Sequence, residues 1–504
     1  MSLATTFTRS SSGINAPLVT VEAHLANGLP SLSIVGLPEA AVKESKDRVR
    51  SAIINCQFEF PAKRITINLA PADLPKEGGR FDLPIALSIL AASGQIPNNS
   101  LADYEFLGEL SLSGELRAIQ GALPSAIACQ TSKRTLCLPT QNQHEASLIA
   151  DINILGAPHL LAVCAHIHGQ QALPSYTPTA SLSKSTTSIA DFSDVHGQQH
   201  TKRALEIAAV GRHSLLMLGP PGTGKSMLAA RLPSILPLLN EQEAVETASI
   251  YSISQHTVDT AQWQIPPFRS PHHTASAVAL VGGGSQPKPG EVSLAHNGVL
   301  FLDELPEFDR KVLEVLREPI ENGKISISRA SHQTEFPARF QLIAAMNPCP
   351  CGYLGDASQR CQCTVAQVTR YRNKISGPLL DRIDMHIEVP RISTEMLRKG
   401  TADGEESSAT IAKRVHQSQQ LALNRQGQAN HLLSTSLIKQ HCQISDDDHV
   451  LLESAIEKLG LSHRAYHRIL KVSRTIADMD GQTNIQRQHL TEALSYRRMD
   501  KRIT

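Results

Sequence analysis

The segment Gly219-Pro-Pro-Gly-Thr-Gly-Lys-Ser226 fits the pattern G-x-x-x-x-G-K-[ST]. It follows a short apolar run, Ser214-Leu-Leu-Met-Leu218, and opens a helix-like stretch, Met227-Leu-Ala-Ala-Arg-Leu232. In that strand–loop–helix setting, glycines let the backbone wrap around phosphates whose charge is met by amide N–H groups and a helix N-terminus. Gly219, Pro220, Pro221, Gly222, Thr223, Gly224, Lys225 and Ser226 are therefore the candidate ATP-binding residues. Lys225 is expected to reach the β- and γ-phosphates, and the Ser226 hydroxyl to ligate Mg²⁺. A second apolar run, Gly298-Val-Leu-Phe-Leu302, ends in Asp303 and Glu304. An Asp at that point completes the metal shell, and an adjacent Glu is placed to deprotonate the attacking water. A third run, Phe340-Gln-Leu-Ile-Ala-Ala-Met346, ends at Asn347, whose amide can hold the same water. Arg382 stands between Asp381 and Asp384. It reads equally well as a local ion pair and as a finger inserted into a neighbouring subunit's site.

Cys349, Cys351, Cys361 and Cys363 give C-x-C-x9-C-x-C, four of the nine cysteines within fifteen residues. Four thiolates suit tetrahedral, structural Zn²⁺, with free thiols or an iron–sulfur cluster as the alternatives. His272 and His273 are adjacent and have no carboxylate at ligand spacing nearby, so a hydrogen-bonding role is expected ahead of a metal. Cys56, Cys129, Cys137, Cys164 and Cys442 are scattered and read as packing residues.

The elements that must position these groups divide the chain into three. Residues 171–190 are rich in Ser, Thr, Pro and Ala without apolar periodicity and read as a linker. A second polar stretch, Arg398 to Asn430, turns helix-like from Ile411. The expected domains are therefore 1–170, 191–390 and 391–504. The first mixes β-branched runs (Leu32–Val35, Arg64–Leu69) with a helical window, Ala40 to Asn55, and reads as α/β. The last carries apolar residues at helical spacing. From Lys225 to Asp303 is 78 residues, far more than a βαβ unit of roughly 30 needs. The excess includes the Pro- and Gly-rich loops 266–276 and 282–290. Residues 324–340 read as a β-hairpin with Arg329 to Gln333 near its tip.

With 504 residues, 41% of them hydrophobic, and a formal net charge of +1, the chain is neither disordered nor fibrous. Its most apolar segment, Leu83 to Ala92, is about half a bilayer span. Met1 to Gly13 is polar and does not read as a secretory signal. A cytoplasmic, reducing setting with no membrane partner is expected. Near-neutral charge means that any nucleic-acid contact must come from local basic patches. Lys324, Arg329 and Arg339 on the hairpin are candidates, and the nine Lys/Arg against four Asp/Glu in 461–504 mark a second surface.

The strings LGPPGTGKS, FRSPHHTASAVALVGGGS, GEVSLAHNGVLFLDELPEF, AAMNPCPCGY and SGPLLDRID resemble the ComM/YifB family, the magnesium-chelatase-like branch of AAA+ ATPases. So do GLPEAAVKESKDRVRSAI and PADLPKEGGRFDLPIALSILAASGQIP in the first domain. The resemblance implies an α/β AAA+ P-loop core with a helical lid, an insert in its second helix, and a hairpin before sensor 1, both facing the pore of a ring. It makes Asn347 sensor 1, Arg382 the arginine finger and Arg464 sensor 2. ComM-type members are similar to hexameric helicases that drive branch migration during natural transformation and homologous recombination. A homo-hexamer acting on single-stranded or branched DNA is therefore implied, with an ATPase that remodels a protein or cofactor-loading partner as the alternative. Residues 71–84 and 108–121 resemble the proteolytic domain of Lon. The Ser position of that motif carries Arg80, and Ala122-Leu-Pro124 stand where the Lys is expected. Neither a nucleophile nor a base is available, so a noncatalytic Lon-protease-like domain is expected.

Overall fold

The computed structural model describes residues 2–176, 190–254, 256, 258–284, 287–328, 333–356, 360–391 and 405–497. They form two compact units, one of Met1–Lys184 with Val245–Trp263, the other of Ser185–Ala244 with Gln264–Thr504.

The first unit is built on a seven-stranded mixed sheet. Its strands are β1 (Leu3–Arg9), β2 (Leu18–Ala26), β3 (Ser31–Val35), β4 (Arg64–Ala70), β5 (Tyr104–Phe106), β6 (Thr135–Pro139) and β7 (Ile154–Ala157), in the order β3-β4-β2-β1-β5-β6-β7. β1, β2 and β4 alternate buried and half-buried residues, as strands with one covered face do. The helix Asp82–Ala92 is buried on every side, which accounts for the continuous apolar run that the sequence shows there. The helix Ala40–Asn55 spans the window expected for it.

The second unit carries a five-stranded, wholly parallel sheet. Its strands are β8 (Leu215–Leu218), β9 (Phe268–Arg269), β10 (Val299–Leu302), β13 (Gln341–Met346) and β14 (Met385–Glu388), in the order β9-β10-β13-β8-β14. β8, β10 and β13 are buried throughout, because crossover helices cover both faces of such a sheet. Between β10 and β13, β11 (Lys324–Ser328) pairs antiparallel with β12 (Gln333–Pro337), so the expected hairpin is present. The helices Ser408–Gln426, Asp446–Leu459, His463–Met479 and Arg487–Ser495 form the helical C-terminal part. Their apolar faces join Leu215, Met217 and Ile343 of the sheet in one continuous core.

Candidate functional site

Parallel pairing of β8 with β13 and of β13 with β10 brings three strand ends to one edge of the sheet. Gly219, Asp303 and Asn347 each follow one of those strands. At Gly219 the backbone runs so close to the Val389 carbonyl that a Cβ would lie 2.4 Å from its oxygen. Gly222 and Gly224 are left-handed, with φ of 78° and 84°, a conformation glycine adopts without strain. The helix Lys225–Arg231 opens directly behind them. The Lys225 ammonium donates to the carbonyls of Gly219 (2.7 Å) and Pro220 (2.9 Å) and to Asn347 Oδ1 (3.2 Å). Burial lowers its pKa, while Asp303 and Glu304 act to raise it. Ser226 Oγ donates to Asp303 Oδ2 at 2.5 Å. A hydroxyl and a carboxylate oxygen converging in this way match what a hard divalent cation accepts. Glu304 sits beside them in a left-handed conformation, φ 52°, its N–H held by Asp303 Oδ1 at 2.9 Å.

The cysteine cluster abuts this edge. The four Sγ atoms of Cys349, Cys351, Cys361 and Cys363 lie within 4.8 Å of one another. Cys349 is 3.8 Å from Cys361 and 3.3 Å from Cys351, which is 3.7 Å from Cys361. Thiolates at ~2.3 Å from a tetrahedral ion stand about 3.8 Å apart, so the donor set and its spacing fit zinc. The Tyr353 N–H and Cys349 pull the Cys351 thiol down to about 6. Gly352, with φ 82°, packs on Pro221 of the nucleotide loop, where a Cβ would fall 2.6 Å from Pro221 Cδ. The cluster thus braces the loop beyond Asn347 against the phosphate-binding turn.

Arg382 and Arg464 are not brought to this edge. Arg382 is 4% exposed. Its Nη2 meets Glu321 Oε1 at 2.5 Å, and its Nη1 donates to the Pro378 carbonyl at 2.7 Å. Arg464 lies 3.8 Å from the same Glu321 oxygen. Both arginines hold the Glu321 carboxyl below the usual range, the Arg382 hydrogen bond most strongly. The Asp384 carboxylate accepts the Ser214 N–H at 3.0 Å, level with the start of β8, the opposite end of that strand from the nucleotide loop. The ion pair weighed for Arg382 is therefore present, but with Glu321 in place of Asp381 or Asp384.

On the hairpin, Lys324 pairs with Glu335 at 2.8 Å, and the Arg339 side-chain stem lies against Gly323. Arg329 lies outside the described residues. Of the nine basic residues of 461–504, Arg498, Lys501 and Arg502 lie outside the described residues, and several of the others have partners. Arg468 pairs with Asp384, Arg474 with Asp478 and Arg487 with Asp448, while Lys471 donates to the His431 carbonyl.

Family models described as magnesium chelatase, subunit ChlI, match residues 191–397 and 21–142, and a ChlI C-terminal model matches 405–497. Competence protein ComM of Haemophilus influenzae is 53% identical over 502 residues, covering 99% of this chain and 98% of its own. The uncharacterized protein YifB of Escherichia coli is 52% identical over 501 residues with the same coverage. This chain belongs to the ComM/YifB family of magnesium-chelatase-like AAA+ proteins. A magnesium-chelatase 38 kDa subunit from Chlorobaculum parvum is 24% identical over 334 residues, covering 59% of this chain and 87% of its own.

Within the first unit, Arg80 is buried, and its Nη2 donates to the Gln120 carbonyl. Burial pushes its pKa down to about 10. The segment 245–263 belongs to this unit although it lies in sequence between Lys225 and Asp303. The Ser252 carbonyl accepts the Gly121 N–H at 2.8 Å, and Ser252 Oγ accepts that of Leu123 at 3.3 Å. Nothing in the local residue pattern announces that docking, because it depends on hydrogen bonds across more than a hundred residues. Glu321 was also missed: a helical Glu among other charged residues carries no mark of its partners. Among the described residues, no helix is long and apolar enough to cross a membrane.

Proposed function

We propose that the protein is an ATP-driven DNA motor, a homo-hexameric ring that moves single-stranded or branched DNA. The observation that carries this reading is the convergence of Lys225, Ser226, Asp303 and Asn347 at one edge of the sheet while Arg382 and Arg464 are held together away from it at Glu321. Lys225 and the loop N–H groups would bind the triphosphate. Ser226 and Asp303 would hold Mg²⁺, which when bound neutralises phosphate charge. Glu304 takes a proton from water as its oxygen bonds to the γ-phosphorus and the bond to the β-phosphate oxygen breaks, releasing ADP and phosphate. Asn347 orients that water. Four to five strand residues at ~3.3 Å each separate Arg382 from its own loop, more than an arginine side chain spans. Arg382 and Arg464 would therefore serve the nucleotide of a second copy, and a head-to-tail interface of that kind closes into a ring.

The name of the 53% identical relative, a competence protein, supports a role in natural transformation and homologous recombination. Lys324, Arg329 and Arg339 would contact phosphates on the strand, and the four cysteines would hold structural zinc. The first domain would act without proteolysis, since Arg80 occupies its nucleophile position. A second reading is favoured by the ChlI family models: an ATPase that remodels a protein or cofactor-loading partner. ATP hydrolysis with and without single-stranded and four-way-junction DNA, across a salt series, separates the two. The motor reading requires stimulation by DNA that weakens as salt rises. Turnover indifferent to DNA at every salt concentration overturns it.

A further inference from the structure

His273 is the one side chain from outside the strand ends that reaches Glu304 among the contacts of the described residues. Its Nδ1 stands 3.4 Å from Glu304 Oε2. The ring itself is fixed on two sides. It lies against His272 at a 33° tilt with centroids 4.1 Å apart, and meets the buried Phe308 edge-on at 6.5 Å. His272 is held in turn by Thr274 Oγ1 at 2.8 Å and by its carbonyl accepting the Ala275 N–H. At the loop's base, Arg269 makes two 2.7 Å bonds to Glu291. Glu304, by contrast, has a side chain that is 52% exposed. An exposed carboxylate of that kind samples several rotamers, and ordering it costs entropy.

We propose that His273 is a positioning residue for the hydrolytic carboxylate: its ring N–H holds one oxygen of Glu304 and leaves the other for the attacking water. The contact ties Glu304 to the loop after β9, so the orientation of the base depends on a segment other than the nucleotide loop. This inference rests on Glu304 being the base. A neutral imidazole donates through one nitrogen, and an amide donor of similar reach substitutes for it. Misplacement of a reacting group by ~1 Å can cost about a hundredfold in rate, and loss of one of several restraints should cost less.

The test is DNA-free ATP hydrolysis by the full chain carrying His273→Ala or His273→Gln, alongside equilibrium binding of a fluorescent non-hydrolysable ATP analogue. His273→Ala should lower kcat about tenfold with KM and analogue affinity unchanged. His273→Gln should retain most of the parental kcat. Added to Glu304→Gln, His273→Ala should cause no further loss, since it acts only through the carboxylate. The proposal is overturned by parental kcat in His273→Ala, by an equal loss of analogue affinity, or by a further tenfold loss in the Glu304→Gln background. Parental turnover in Glu304→Gln alone would instead remove Glu304 as the base. An inactive Glu304→Gln with a parental His273→Ala removes only the role of His273.

Discussion

Mixing a Lys225→Ala chain with an Arg382→Ala chain should restore ATP turnover that neither shows alone. Lys225→Ala removes the ammonium that lies against the loop carbonyls and Asn347. Arg382→Ala leaves that edge intact, because Arg382 contacts Glu321 and Pro378 instead. Glu321 is 41% exposed, so losing its partner does not strand a buried charge. Loss of a trans-acting arginine costs about a thousandfold or more in turnover. In a randomly assembled equimolar mixture, about one interface in four joins an intact Lys225 to an intact Arg382. Phosphate release per chain should therefore recover to about a quarter of the parental rate. Plotted against the mixing ratio, it should trace an arch with its maximum at equal proportions. The reasoning is refuted if Arg382→Ala alone hydrolyses ATP at the parental rate. It is equally refuted if the two chains co-assemble, as judged by pull-down of a tagged partner, yet the mixture does no better than the sum of its parts.

Glu304→Gln should bind ATP tightly and assemble while releasing almost no phosphate, whereas Lys225→Ala should fail to bind; filter binding and sizing chromatography with ATP distinguish them. Elemental analysis of freshly purified protein should find about one zinc per chain, and replacing Cys351 and Cys361 by Ser should remove it and lower ATP turnover through the loop packed on Pro221. Burial pushes His431 from 6.5 down to about 3 while its Nδ1 lies 3.1 Å from the Gly211 carbonyl. The unfolded chain then binds the extra proton between those values, so this contribution to stability is lost as pH falls through that window. Between pH 7 and pH 5 the loss should be about 2 kcal/mol in urea unfolding, and His431→Gln should lack it.

The edge at which Gly219, Asp303 and Asn347 meet was legible because its residue pattern is local. A glycine-rich turn behind a buried strand, and acids at a strand's end, are written within a few residues each. The cysteine cluster was legible for the same reason, with all four ligands inside Cys349–Cys363. The hairpin followed from two-residue alternation in β11. What the sequence could not show depends on distant pairing. Glu321 meets Arg382 61 residues on and Arg464 more than a hundred on, and no periodicity encodes either contact. Counting charges in the C-terminal helices cannot show that Arg468 and Arg487 pair with Asp384 and Asp448. His273 was noticed as half of a histidine pair, but its partner became visible only when β9 and β10 set the loop beside Glu304.

A labelled four-way junction built from DNA of matched arms puts the motor itself to the test. With ATP, the parental protein should convert it to two duplexes, while Lys225→Ala, Glu304→Gln, or ADP in place of ATP should leave it whole. A junction that survives the parental protein with ATP, or one that is resolved as quickly without hydrolysis, would contradict the account.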